Sequence, residues 1–140
     1  MSSFTELLLV EQLPNGFWKI ERDLVYFVGE EGSEDKITVS AGFISDFFSI
    51  PFPATMFLPK SEKGNAAAVL HDFLFSILGE VKTPYNNIKR TRAQCDKIFL
   101  ESMKVLGVNW FKRWIMYRAV RMGGGFIWNK HARKLKNNVE

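Results

Sequence analysis

Asn65-Ala66-Ala67-Ala68-Val69-Leu70-His71-Asp72-Phe73-Leu74-Phe75-Ser76-Ile77-Leu78-Gly79 decides the reading of this chain. Alanine and leucine favour a helix, Asn65 can cap it, and Gly79 can stop it after Leu78. The segment is apolar on nearly every side, so it belongs inside a core and not on a surface. Two residues break that pattern. His71 and Asp72 sit mid-helix, where an aspartate is a poor helix former and is rarely buried unpaired.

Downstream of Gly79, residues 80–89 read as a polar loop with Pro84 and Asn86-Asn87. A second helix is predicted from a cap at Thr91 to Leu106, stopped by Gly107, with Ala93, Asp96, Leu100 and Met103 on one face. A loop of this length allows two antiparallel helices, which can set Asp96 opposite His71. A third helix is predicted from about Asn109 to Met122, ended by Gly123-Gly124-Gly125. Phe126 to Trp128 then re-enters apolar contact before a fraying basic tail.

Upstream, residues 41–64 change character, and Ile50-Pro51-Phe52-Pro53 forbids a regular helix or a central strand. Asp46 is an isolated acid in that apolar loop. The first 45 residues read as β. Phe17-Trp18-Lys19-Ile20 and Leu24-Val25-Tyr26-Phe27-Val28 are aromatic and β-branched, and Lys36-Ile37-Thr38-Val39 alternates polar and apolar. The expected fold class is α+β, a small N-terminal antiparallel sheet packed with three C-terminal helices. A single domain covers residues 1–140: about 1–45 β-rich, 46–64 a Pro-rich loop, 65–125 helical and 126–140 a basic tail.

Composition agrees with one globular domain. The 140 residues are 46% hydrophobic and 24% charged, and a chain of this size buries roughly two-thirds of its unfolded surface without a disulfide or structural metal. Cys95 is the sole cysteine, so no internal disulfide forms. Leu7-Leu8-Leu9-Val10 has no basic residue before it and no small-residue cleavage site after it, which argues against a signal peptide. No apolar run is long enough to span a bilayer. The expected location is the cytoplasm of whatever cell makes the protein. The net charge of +4 is uneven: nine Lys/Arg and one acid lie from Lys104 onward. Such a concentration suits phosphate, an acidic partner or a membrane surface.

His71, Asp72, Asp96 and Asp46 carry the chemistry. A histidine held by a carboxylate is the usual general base, because the carboxylate sets its tautomer and stabilises the imidazolium. His71 and Asp96 are therefore the catalytic candidates. Asp72 and Asp46 are the candidates for a divalent cation, since hard metals take carboxylate oxygens, and all four residues could instead share one ion. The blander reading stands beside these: a His–Asp pair that only locks two helices together.

Three motifs resemble a known family. Gly42-Phe43-Ile44-Ser45-Asp46-Phe47-Phe48-Ser49-Ile50-Pro51 is followed by Ala67-Ala68-Val69-Leu70-His71-Asp72-Phe73-Leu74-Phe75. Arg92-Ala93-Gln94-Cys95-Asp96-Lys97-Ile98-Phe99-Leu100-Glu101-Ser102-Met103 and Gly107-Val108 come next. Together they resemble the phage and prophage family of domain of unknown function 1353, over residues 39–124. That resemblance implies a phage-encoded protein and no particular activity. The family pattern favours Tyr at Phe75 and Ala at Cys95. A second, local resemblance is to the phospholipase A2 helix pair, which implies that His71 activates water, Asp72 holds calcium and Asp96 orients His71. That family's glycine-rich calcium loop and disulfides are missing here. Ser49, Arg92 and Phe75 complete the candidate site as rim or supporting residues.

The third helix interleaves aromatics and cations from Trp110 to Arg121. Phe111, Ile115 and Met122 are expected to face the core, with Lys112, Arg113 and Arg121 in solvent. Lys112, Arg113, Arg118 and Arg121 are the candidate surface-binding residues, for a membrane surface or nucleic acid, unless they are merely snorkelling cations of a core helix. His131 is expected to do nothing chemical. Two functions follow. One is a phage-encoded accessory protein with a metal-assisted or general-base hydrolase site. The other is a non-catalytic virion (tail or particle) component, or an inhibitor binding a host protein, with the polar cluster structural.

Overall fold

The computed structural model describes residues 3–4, 10–14, 17–30, 32–45, 62–82 and 87–139, without the side chains of 12, 62–65, 138 and 139. Among these, small antiparallel sheets occupy the N-terminal half and three helices the C-terminal half, an α+β arrangement.

Strands β1 (Ser3–Phe4), β4 (Leu24–Phe27) and β5 (Lys36–Val39) form one sheet in the order β1-β4-β5. Side chains alternate across a strand, so Leu24 and Tyr26 of β4 point to the same side as their β5 partners Val39 and Ile37. All four are buried. The connection between β4 and β5 turns through Gly29 and Gly32, both at positive φ, and is tied by a bond from Val28 N–H to the Asp35 carbonyl. Strands β2 (Val10–Gln12), β3 (Trp18–Ile20) and β6 (Ile44–Ser45) form a second sheet, with Trp18 opposite Ser45.

Helix α1 (Glu62–Ser76) is the central element. Every residue from Ala66 to Asp72 is buried, as the lack of a polar stripe implied. It begins earlier than expected: Asn65 lies within the helix and does not cap it. At its other end Leu78 and Gly79 both adopt positive φ, and Gly79 N–H donates to the Leu74 carbonyl. Glycine is required there. A Cβ on Gly79 would stand 2.2 Å from the Arg90 carbonyl oxygen.

The segment expected as a polar loop instead makes a hairpin, β7 (Glu80–Lys82) with β8 (Asn87–Lys89). Only Val81 of its strand residues is buried, so the pattern is too polar and too short to announce strands. Helix α2 (Arg92–Val105) starts with a capping box in which the Thr91 hydroxyl accepts from Gln94 N–H and the Gln94 side chain accepts from Thr91 N–H.

Helix α3 (Trp110–Val139) runs straight through Gly123-Gly124-Gly125, where an end was expected. A helical glycine costs about 1 kcal/mol relative to alanine, but here close packing needs one. A Cβ on Gly124 would lie 3.4 Å from the Phe75 ring and 3.3 Å from Arg92 Nη1. The glycine therefore lets α3 press against α1 and α2, and the tail continues as helix. The buried rungs of α3 are Met116 and Val120, four residues apart, with Gly124 continuing the series. Phe111 and Met122, expected inside, are 62% and 88% exposed. Their spacing fits a helical face, but it is the opposite one.

Two clusters make the core. One joins the first sheet to α1 through Tyr26, Ile37, Leu70, Leu74 and neighbours. The other fills the junction of α1, α2 and α3 with Ala67, Phe99, Met103, Met116 and Val120. Tyr26 also donates from its hydroxyl to Glu101 Oε1 at 2.7 Å, linking sheet to α2.

Candidate active site

His71 lies on the side of α1 that meets α2, and Asp96 lies one helical turn into α2. Their side chains meet at 2.7 Å, Nε2 to Oδ1, and both are 0% exposed. A carboxylate only accepts, so the ring nitrogen facing it carries the hydrogen. The lone pair of a neutral ring is then on Nδ1. Phe75 and Phe99 flank the ring, with centroids 4.3 and 4.7 Å away, and Trp128 of α3 meets Phe75 edge-on. These contacts hold the imidazole in one orientation. Phe75 is fully buried and supports the ring by packing against it.

The other carboxylate oxygen of Asp96 faces two guanidinium groups. Arg121 Nη1 donates to it from α3 at 2.9 Å, and Arg92 Nη1 lies at 3.4 Å from one turn earlier on α2. Arg92 also reaches the carbonyls of Val120 and Arg121. One carboxylate thus joins all three helices. Arg121, expected in solvent, turns inward to Asp96 because it lies beside the buried rung at Val120. Arg113 bonds the Val108 carbonyl at 3.2 Å, and Lys112 and Arg118 remain exposed.

Asp72 points elsewhere. It accepts from the Ser45 hydroxyl at 2.6 Å and stands on the wall of a cavity of about 420 Å3. Phe43 and Ile44 line one side, and Phe126, Ile127, Lys130 and His131 of α3 line the other. Sequence reading placed Phe126 to Trp128 in apolar contact but left the residues beyond as a fraying tail, and so missed Lys130 and His131. The spacing of Ile127, His131 and Lys134, four and three residues apart, was the available signal.

Cys95, beside Asp96, is buried. Burial pushes its thiol up to about 12, with the Asp96 charge adding to the shift and Arg90 opposing it. It is held as a thiol and is no nucleophile at neutral pH.

Asp46 and Ser49 lie outside the described residues. Among the described residues no three His, Cys, Asp or Glu side chains converge as a metal-binding group. Among the described residues His71 is engaged with Asp96 and Asp72 with Ser45. Without a metal, the arrangement can orient an imidazole and stabilise its positive charge once it takes a proton.

Comparison with curated proteins and with solved structures returns no match. A family model does match, over residues 18–120, which spans β3 to the buried rung of α3 and takes in both His71 and Asp96. On that match the chain belongs to the protein family of unknown function DUF1353.

Proposed function

We propose that this is a phage- or prophage-encoded accessory protein whose His71–Asp96 pair acts as the general base of a hydrolase. The observation that carries the reading is the 2.7 Å bond that fixes His71 Nε2 against a buried carboxylate, one residue from an acid on a cavity wall. His71 Nδ1 removes a proton from water, and the water oxygen attacks an ester-like centre. The imidazolium, stabilised by Asp96, then returns the proton to the leaving group. Arg92 and Arg121 keep Asp96 in place. His71 has no exposed surface, so the reaction requires a substrate or a motion that opens a path to the ring.

The test is hydrolysis of acyl p-nitrophenyl esters and of bis-p-nitrophenyl phosphate by the purified protein. General-base catalysis is worth about 10²–10⁴-fold, so His71→Asn should remove that much activity while the protein stays folded. A wild-type protein no faster than buffer on every ester tested would remove the reading.

A second reading is favoured by the complete burial of both groups and by the bonds from Arg92 to α3 carbonyls. In it the cluster is architectural, and the protein is a non-catalytic virion component or an inhibitor that binds a host protein. His71→Asn and Asp96→Ala would then cost stability with no activity to lose.

A further inference from the structure

Helix α3 has two apolar faces, and only one is used. Met116, Val120 and Gly124 are buried against α1 and α2. On the opposite side, Phe111 and Met122 are 62% and 88% exposed, and Phe126, 69% exposed, stands between that side and the cavity wall it helps to line. Fifteen residues of helix separate the first from the last, about 22 Å at 1.5 Å per residue. Of the seven large apolar side chains exposed among the described residues, six belong to α3. Scattered exposed apolar residues need no explanation, but a concentration on one element does.

Charge on the same helix is one-sided. α3 contains eight Lys/Arg and no Asp or Glu. Arg118 stands exposed between Phe111 and Met122, Arg133 follows Phe126, and Lys112, Lys130, Lys134 and Lys136 are also exposed. Trp110 and Trp114 flank the start of the strip. Aromatic side chains interleaved with cations are what an interfacial helix presents to lipid: apolar groups enter the acyl boundary and cations meet anionic headgroups.

We propose that this outward face of α3 docks on an anionic lipid bilayer surface, lying in the interface without crossing it. Among the described residues no helix is long and apolar enough to cross. Charge complementarity selects the partner. A second copy of the same face would oppose like charges. A nucleic-acid duplex would satisfy the cations through its phosphates but would give Phe111, Met122 and Phe126 nothing apolar to enter.

Flotation with vesicles of equimolar phosphatidylglycerol and phosphatidylcholine tests this on the full chain, with pure phosphatidylcholine vesicles as the comparison. Binding to the anionic vesicles should be at least about tenfold tighter and should weaken with salt. Phe111→Ser with Met122→Ser should weaken that binding roughly tenfold through lost apolar insertion. Arg118→Glu with Arg133→Glu should weaken it as strongly on anionic vesicles and little on phosphatidylcholine. All four positions are exposed, so circular dichroism should show unchanged melting. The proposal is overturned by equal binding to both vesicles, by serine variants that bind like wild type, by tighter binding to a single-stranded oligonucleotide, or by self-association that buries the face.

Discussion

Replacing Asp96 with alanine removes the one carboxylate that accepts from three side chains, one on each helix. His71 Nε2–H, fully buried, loses its acceptor, which costs about 1–3 kcal/mol. Arg121 and Arg92 lose their anion, but their side chains are 34% and 25% exposed. Water therefore recovers part of what the guanidinium groups lose, and their share falls below the ~3–5 kcal/mol typical of breaking a fully buried pair. Together these give a loss of about 4 kcal/mol. For a domain of this size each kcal/mol lowers Tm by about 3 °C, so the melting temperature should fall by roughly 12 °C. Thermal unfolding followed by circular dichroism, with a urea titration to check that the slope is unchanged, measures it. Arg121→Gln, which leaves the His71 bond intact, should cost only about 1 kcal/mol. An Asp96→Ala protein within about 1 kcal/mol of wild type would show that the three-helix junction does not depend on this carboxylate.

Gly79→Ala should destabilise by about 3 kcal/mol or more, since it combines a left-handed backbone with a Cβ forced onto the Arg90 carbonyl; urea unfolding reads it. In α3 the glycines should differ. Gly125→Ala, whose Cβ meets Arg92 only at 3.8 Å, should raise stability by up to about 1 kcal/mol through helix propensity. Gly124→Val should lower it by pushing Phe75 and Arg92 away, and a pair of melting curves separates the two. Cys95 bears on alkaline stability. The unfolded thiol ionises near 9.0 and the folded one near about 12, so the unfolded chain releases its proton first. Stability should be unaffected by this group below pH 9 and should fall above it at up to about 1.4 kcal/mol per pH unit. Cys95→Ala should remove that component in melts across the alkaline range, and iodoacetamide should not label native Cys95 at pH 8.

The helix pair was legible because its signals are local. Gly79 and Gly107 stop α1 and α2, Thr91 starts α2, and the antiparallel arrangement of the two helices brings His71 to Asp96. The strands at Leu24–Phe27 and Lys36–Val39 were legible from alternation. What escaped depends on tertiary contact. A triple glycine ends a helix by propensity, but α3 continues through it and packs Gly124 closely against Phe75 and Arg92. Phe111 and Met122 fit an apolar face as well as Met116 and Val120 do, and periodicity cannot choose between two such faces. Arg121 looked like a solvent cation because its anion sits 25 positions earlier in the chain. The cavity beside Asp72 was invisible for the same reason, since half its wall comes from the helical extension. Asp46 and Ser49 fall outside the described residues.

Asp96 holds the His71 ring by Nε2. Long-range proton–nitrogen NMR of the imidazole nitrogens tests that directly. The expected result is a hydrogen on Nε2 that exchanges slowly with water, because the ring is fully buried against the carboxylate. The opposite tautomer, or a ring averaging between the two with fast exchange, would contradict it.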